Sequence, residues 1–448
     1  MLQRTTVILL LAIAGSALLY GSANTIDNPR DQQPPNIVLL FCDDLGYGDL
    51  HAYGHPTIAT PHLDRMAQDG MLFTQFYSAS PACTASRYAL LTGRYPVRSG
   101  FDWVLYPKSE RGLHSEEHTL AEGLKAAGYR TGCFGKWHLG STQPGFLPLQ
   151  NGFDTYVGLP YSNDMIPPKW PDIALLSGND TLGMNPDQSL LTGLYTQTAI
   201  DFMREDDPSP FFVYLPFAMP HVPLYPGKDF EGQSRACTYG DVVEEIDDAV
   251  GRIRAALEEA GLAENTLILF TSDNGPWIIK GGDGGSAGHL RDGKGSTWEG
   301  GMRVPGIACW PGTIAPGQVQ RTPANTMDWY TTLLGLAGQD IPEDRVVDGK
   351  DLRPLLRGEP VSEHPFFYYG PGNQLQAVRK GSWKLHRITS SQTGLDYFDG
   401  KLPLLFNLDE DPGERFDRSE QFPEIVTELQ HLMDEQMKAT DRVGTFWD

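Results

Sequence analysis

Five apolar runs along the chain have strand length and no polar alternation: Asn36–Phe41, Arg130–Phe134, Phe211–Phe217, Leu267–Thr271 and Val304–Cys309. They are rich in β-branched and aromatic residues, the pattern of strands buried on both faces. Segments of helical spacing lie between them. Thr119–Ala127 runs up to Gly128, a residue suited to the position just past a helix. Leu190–Arg204 is a second segment. In a third, Val243, Ile246, Val250, Ile253 and Leu257 recur on one helical face until Gly261 ends the pattern. Strands alternating with helices predict an α/β fold, a mainly parallel sheet sandwiched by helices. After about Arg357 the texture changes. Phe366–Tyr369, Gln376–Arg379, Trp383–His386 and Leu404–Asn407 read as short strands between turn residues, and Pro423–Lys438 as a closing helix. This predicts a smaller α+β unit with an antiparallel sheet. The expected division is residues 36–357 for the larger unit and 358–448 for the smaller, and 448 residues suffice for both.

Charge narrows what such a chain can bind. The formal net charge of −22 excludes nucleic acid and anionic membrane surfaces as partners. An anionic substrate would have to meet a locally basic site, with salt screening the rest; at about 0.5 M salt the Debye length is only a few ångströms. Residues 1–23 read as a signal peptide: Arg4 precedes the apolar Val7–Leu19, and Gly21-Ser22-Ala23 offers a small-residue cleavage site. The apolar run is short for a membrane span, and the plainer alternative is an uncleaved anchor. Residues 24–35 read as a linker. The expectation is an exported protein, periplasmic or secreted, with no stable membrane association. Its compartment permits disulfides, yet the five cysteines show no framework. Cys42 and Cys133 read as small buried hydrophobes. Cys237 and Cys309 take no role from the sequence.

The candidate chemistry follows from position. Asp43 and Asp44 directly follow the first strand, Lys136 and His138 the second, His221 the third, and Asp273 and Asn274 the fourth. In open α/β sheets ligands bind beyond the carboxyl ends of the strands, so four segments deliver polar groups to one sheet edge. A single Asp after a strand is ordinarily a cap or a turn residue. Asp-Asp at one strand end and Asp-Asn at another favours a cation, because clustered carboxylates repel without one. An all-oxygen donor set suits Ca²⁺ or Mg²⁺ rather than Zn²⁺. Arg87, Lys136, His138, His221 and Lys294 form a basic half. Taken singly, a Lys between glycines is a solvated loop residue and a loop His is structural. Together they can hold an anion, since a cation about 4 Å away contributes roughly 4 kcal/mol at an effective dielectric of about 20, before desolvation.

Cys83-Thr84-Ala85-Ser86-Arg87, continued by Leu91-Thr92-Gly93-Arg94, resembles the signature of the type I sulfatases. Asp43-Asp44-Leu45-Gly46-Tyr47-Gly48-Asp49 resembles that family's amino-terminal metal motif. Gly135-Lys136-Trp137-His138-Leu139-Gly140 is similar to its second signature, and Leu290–Pro305 to its late lysine segment. Leu159–Asp164 is similar to a segment that supplies a sulfate-contacting serine, here Ser162. The resemblance runs from Asn36 into the carboxyl-terminal region and is strongest to the arylsulfatase A and N-acetylgalactosamine-6-sulfatase branch. It implies an alkaline-phosphatase-like fold and a Cys83 oxidised to formylglycine (3-oxoalanine) by a formylglycine-generating maturation enzyme. It implies one Ca²⁺ held by Asp43, Asp44, Cys83, Asp273 and Asn274. The implied nucleophile is a hydroxyl of the hydrated aldehyde, deprotonated with help from Asp273 and positioned by Arg87 and Lys136. Lys136, Ser162 and Lys294 would contact the sulfate, Lys294 and His221 would serve the leaving oxygen, and His138 would be the base that lets the aldehyde re-form. The family's usual Cys-x-Pro-x-Arg is departed from at Ala85, which bears on maturation rather than catalysis.

The implied activity is sulfuric ester hydrolysis of a sulfated carbohydrate or aryl sulfate. A phosphonate or phosphate monoester hydrolase of the same superfamily is the alternative within the class. A non-catalytic protein that binds sulfated glycans is the alternative outside it, should Cys83 stay a thiol. Loops around Pro160–Leu182 and Trp277–Arg291 are expected to shape the leaving-group pocket. Trp170 and Trp277 are candidates to stack on a sugar, although ordinary packing is the plainer reading of each.

Overall fold

The computed structural model describes residues 34–441 and 445–447; the segment read as a signal peptide lies outside the described residues. Strands β1 (Asn36–Cys42), β2 (Met71–Tyr77), β3 (Arg130–Phe134), β4 (Thr155–Gly158), β5 (Ala174–Ser177), β6 (Asp180–Met184), β7 (Phe211–Pro216), β8 (Thr266–Ser272), β9 (Arg303–Cys309), β10 (Gln318–Gln320) and β11 (Ala324–Asn325) form one sheet. Its order is β10-β2-β9-β8-β1-β7-β3-β4-β5-β6, with β11 also on β2. The centre, β8-β1-β7-β3-β4, is parallel. β9 runs antiparallel to β8 and β2, and the β4-β5-β6 margin is antiparallel.

The missing polar alternation has a direct cause. Ile37, Leu39 and Phe41 face one core, while Val38, Leu40 and Cys42 face another. The first core takes in helices α2 (Cys83–Thr92), α3 (Leu120–Ala126) and α7 (Thr326–Leu336), through residues such as Leu90, Leu124 and Leu333. The second takes in α1 (Pro61–Asp69), α4 (Leu191–Met203) and α5 (Cys237–Glu259), through Leu63, Tyr195 and Val250. Each strand residue therefore meets a helix layer, so both faces select apolar side chains. The local stop signals act as read: Thr119 caps α3 in a reciprocal box with Glu122, and Gly128 and Gly261 adopt positive φ just beyond their helices.

A second, antiparallel sheet contains β12 (Phe366–Gly370), β13 (Gln374–Lys380), β14 (Trp383–His386) and β15 (Leu404–Asn407), in that order. A short α6 (Glu299–Met302) leads into β9, and α8 (Arg353–Leu356) precedes this sheet. Helix α9 (Pro423–Asp441) covers it, burying Leu429 and Met433. Both sheets belong to one compact unit, Pro34–Asp448. Cys42, Cys83, Cys133 and Cys309 are buried, Cys237 is exposed, and none forms a disulfide.

Register fixes the functional edge. Cys42 pairs with Ser272, and Phe41 with Thr271 and Pro216. The next residues of β1 and β8 thus emerge side by side. Gly135, just after β3, lets the chain turn: its φ is +140°, and a Cβ there would lie 1.9 Å from the Pro216 carbonyl oxygen. Gly135→Ala should therefore destabilise the protein by more than about 2 kcal/mol, read as a lower urea midpoint. An unchanged midpoint would show that this close approach is not needed.

Candidate active site

The parallel register delivers the acids. Asp273 N donates to Cys42 O (3.0 Å), Asp43 N to Met219 O (3.2 Å) and Asp44 N to the Asp273 carboxylate (3.1 Å). Asp44 has φ of 65° and His138 φ of 60°, left-handed values uncommon outside glycine. Such values gather where surrounding structure over-determines the backbone, as at functional sites.

Asp43, Asp44, Cys83 and Asp273 are all buried, and their potential ligand atoms lie within 4.8 Å of one another. Cations enclose them. Arg87, one turn into α2 from Cys83, donates to Asp273 Oδ2 (2.8 Å) and to the Lys136 carbonyl (3.0 Å), and lies 3.5 Å from Asp43 Oδ1. Lys136 Nζ bonds the Asp43 carboxylate and Ser162 Oγ, the latter at 3.1 Å. Lys294 Nζ is 2.7 Å from Asp44 Oδ1 and 3.4 Å from Cys83 Sγ. His221 Nε2 is 3.6 Å from Asp44 Oδ2. Asn274 Nδ2 donates to Asp44 Oδ1 at 2.7 Å. The structure thus gathers Asp43, Asp44, Cys83, Arg87, Lys136, Ser162, His221, Asp273, Asn274 and Lys294 into one connected cluster. His138 joins it through its backbone: its carbonyl accepts from Thr84 Oγ1 at 3.0 Å, while its ring Nε2 lies 2.9 Å from Leu105 O.

The electrostatics follow from burial and crowding. Burial works to raise the Asp43 carboxyl, but Lys136, His221, Arg87 and Lys294 together outweigh it and hold it well below the usual range. Burial and the neighbouring Asp43 push Asp273 up to about 7. Burial raises the Cys83 thiol well above its ordinary value. Burial and the charge of Lys136 hold His138 well below the usual histidine range, and burial with Lys294 lowers His221. Burial works to lower Lys294, but Asp44, Cys83, Asp43 and Asp273 together outweigh it and raise it.

The donor set fits a hard divalent cation. Asp43 Oδ1 and Asn274 Oδ1 are buried and accept no hydrogen bond, which is costly unless something else satisfies them. They stand in a cluster of carboxylate oxygens, the chemistry that Ca²⁺ or Mg²⁺ prefers.

Sequence reasoning missed the residues that brace this edge. Lys384, Glu299 and Glu414 are fully buried, with Lys384 Nζ 2.9 Å from Glu299, 3.0 Å from Glu414 and 2.8 Å from Thr297 O. Glu414 also accepts from Glu299 N (2.7 Å) and meets His386 Nε2 at 2.6 Å. Tyr77 donates to Glu299 (2.6 Å) and Arg379 bonds Tyr77. This network fixes the segment that carries Lys294, whose next residue, Gly295, donates to Pro81 O (2.9 Å) just before Cys83. Its partners lie far apart in the chain and follow no short motif. Trp277 has Lys294 Nζ 4.6 Å and Lys280 Nζ 4.3 Å from its ring centroid, so it packs between the site's Lys294 and an exposed lysine. Trp170 stacks on Tyr106, 5.1 Å between centroids.

A mixed sheet with carboxylates, lysines and a helix start converging beyond its central strands defines an alkaline-phosphatase-like hydrolase of anionic esters. The chain belongs to the sulfatase family: residues 35–339 match the sulfatase model and residues 362–445 the C-terminal region of aryl-sulfatase. It is a sulfuric ester hydrolase. It is 44% identical to N-acetylgalactosamine-6-sulfatase of Rattus norvegicus, over 86% of this chain and 81% of the relative. It is 41% identical to human (Homo sapiens) arylsulfatase A, over 89% and 87% respectively. In structure it resembles the PsFucS1 sulfatase from Pseudoalteromonas sp., with a TM-score of 0.83, 30% identity and 92% of each chain covered.

Lys384→Met would leave the paired Glu299 and Glu414 without their shared cation. It should cost about 3–5 kcal/mol of stability, measured by denaturant unfolding. A loss below about 1 kcal/mol would show that the network does not brace the fold.

Proposed function

We propose that this chain removes sulfate from a sulfated carbohydrate, with a nucleophile made by oxidising Cys83 to formylglycine and with a bound Ca²⁺. The observation that carries this reading is the ring of Lys136, Ser162, His221 and Lys294 set around Cys83 in an otherwise acidic protein. The sugar is favoured by the 44% identity to a relative named for N-acetylgalactosamine 6-sulfate. The hydrated aldehyde would supply two geminal hydroxyls, one to bond sulfur and one to expel sulfate as the aldehyde re-forms. Asp43, Asp44, Asp273, Asn274 and the modified residue 83 would hold the Ca²⁺, which supplies positive charge against the sulfate oxygens.

The chain's own side chains then divide the work. Lys136 and Ser162, joined at 3.1 Å, orient the sulfate and offset charge that grows on its oxygens. Arg87 bonds Asp273 at 2.8 Å and holds it beside residue 83, where it accepts the proton of the attacking hydroxyl. Lys294 reaches residue 83 directly, and with His221 it steadies the leaving oxygen and returns a proton to it. His138 faces a carbonyl with Nε2, which must carry the proton, so Nδ1 keeps its lone pair and has no hydrogen bond. That leaves Nδ1 free to take the proton of the second hydroxyl. The helix start at Cys83 adds the positive end of the α2 dipole. Export, with periplasmic or secreted location, is supported by the signal-like residues 1–23.

Cys83→Ala should abolish turnover of nitrophenyl sulfate while leaving the thermal unfolding of the chelated, metal-free protein unchanged, and mass spectrometry of the wild-type peptide should show an aldehyde at residue 83. Retained turnover, or an intact thiol in fully active enzyme, would refute the nucleophile. Greater efficiency on a nitrophenyl phosphonate than on the sulfate would favour the phosphonate alternative. Ca²⁺ added to chelated protein should raise its unfolding temperature, by about 2.7 kcal/mol of stability at a hundredfold excess over Kd. Asn274→Ala should lose most of that rise. No thermal response to Ca²⁺ would count against the metal.

A further inference from the structure

The segment that roofs His138 continues directly into an exposed aromatic platform. Leu105 accepts from the His138 ring through its carbonyl (2.9 Å) and donates to Thr84 Oγ1 (3.0 Å), one residue from Cys83. The next residue, Tyr106, is 45% exposed. It stacks on the half-buried Trp170 with centroids 5.1 Å apart and planes 12° from parallel. Trp170 lies on the segment that leaves the site at Ser162, whose hydroxyl bonds Lys136. Two independent loops thus carry one ring each from the anion site to the same place.

A cavity of about 290 Å³ adjoins the pair. Pro107 and Pro171, the residues after Tyr106 and Trp170, line it, and so do Pro160 and Tyr161, which precede Ser162. Ser141 and Asn179 add polar groups to a wall that mixes polar and apolar surface. The size sits at the small end of small-molecule pockets. Antiparallel β5 begins at this edge, since Gly158 pairs with Leu176, so Ala174 in the cavity wall lies on the catalytic side of the sheet.

Charge sets the occupant. Exposed Lys169 holds its Nζ 5.3 Å from the Trp170 centroid, and no acidic partner is bonded to it among the described residues. A cation with no acidic partner, on an aromatic pair reached by two loops from the anion site, suits an anionic ligand in a protein with net charge −22. The exposed Tyr106 ring, backed by Trp170, offers an aromatic face that suits the apolar face of a pyranose ring.

We propose that Tyr106, Trp170 and Lys169 form a subsite for the sugar adjacent to the one being desulfated, with Lys169 pairing to a sulfate or carboxylate on that neighbour. The enzyme is then built for a sulfated oligosaccharide rather than a sulfated monosaccharide. This rests on the carbohydrate sulfatase reading. None of the three side chains belongs to the reacting centre.

The test compares wild type with Trp170→Ala, Tyr106→Ala and Lys169→Glu. The probes are nitrophenyl sulfate and a panel of sulfated monosaccharides of galactose, N-acetylgalactosamine, fucose and glucosamine, each with its matching tetrasaccharide. On the tetrasaccharide that wild type turns over fastest, Trp170→Ala and Tyr106→Ala should each lower kcat/KM by roughly tenfold or more, mostly through KM. Nitrophenyl sulfate and the monosaccharide should change by less than about twofold. Lys169→Glu should weaken the tetrasaccharide alone, with the loss shrinking as salt rises. Equal losses on all substrates, or none on the tetrasaccharide, would overturn the subsite and leave the sulfatase reading standing. Hydrolysis of nitrophenyl sulfate with no saccharide desulfated would overturn both the subsite and the carbohydrate reading. No hydrolysis of any sulfate ester by wild type would overturn all of them.

Discussion

Three carboxylates buried within a few ångströms of one another are the constraint on which this structure turns. Asp43, Asp44 and Asp273 are withdrawn from water at the carboxyl edge of the sheet. Desolvated charges of one sign cannot coexist without partners, because their repulsion grows as the local dielectric falls. The chain answers with Arg87, Lys136 and Lys294, each paired to one or two of the acids. Three acids against three permanent cations is a neutral set. It still leaves Asp43 Oδ1 and Asn274 Oδ1 without a hydrogen bond and pushes Asp273 up to about 7. The partners are balanced in charge and incomplete in coordination, the condition expected of a site that has something still to bind.

The same constraint explains why the second sheet is part of the site. Lys294 comes from a glycine-flanked loop that could not hold a buried ammonium in place unaided. Its position is fixed from behind by Glu299, held by Lys384 of β14, and by Glu414, which meets both Lys384 and His386. Trp298 packs against His386, with centroids 4.4 Å apart, and closes the gap between the loop and the sheet. A buried ion network of this kind adds little net stability. It does specify one arrangement, since any shift of the loop strands a charge. Positioning of Lys294 thus reaches through the loop into an antiparallel sheet far along the chain.

Much of this was legible in the sequence, for identifiable reasons. The central strands announced themselves because both faces are covered, so β1, β7 and β8 carry unbroken apolar runs at Ile37–Cys42, Phe211–Pro216 and Leu267–Phe270. The polar residues that follow them could be placed at one edge because parallel strands share a carboxyl end. Cys83 and Arg87 are a turn apart on one helix, which spacing alone reveals. The short strands β4 to β6, β10 and β11 were not legible: they lie at margins where one face meets solvent and the apolar signal fades. Met71–Tyr77 was missed because only some of its residues are buried. Lys384 and Glu414 carry no local signature, and Glu299, although inside the late lysine segment, gives no sign of its partners, because the three meet only in space across three chain segments. His138 was placed at the right edge, but the partner of its ring, Leu105, could not have been foreseen, since a backbone carbonyl is the same in every residue.

The acidic surface and the basic centre are therefore two separate designs in one chain. A net charge of −22 sets the long-range field, and salt screens it over a few ångströms to about ten. Inside the site the dielectric is low and screening is weak, so a few cations at contact distance dominate whatever enters. On the proposed reading that centre meets the sulfate and the leaving oxygen, which all such substrates share, so it cannot discriminate between them. Discrimination has to come from the rim, where side chains are free to vary without disturbing the buried charge balance. The loops leaving Leu105 and Ser162 satisfy that condition: each is anchored to the centre by a backbone or hydroxyl bond, and Tyr106 and Trp170 meet away from it.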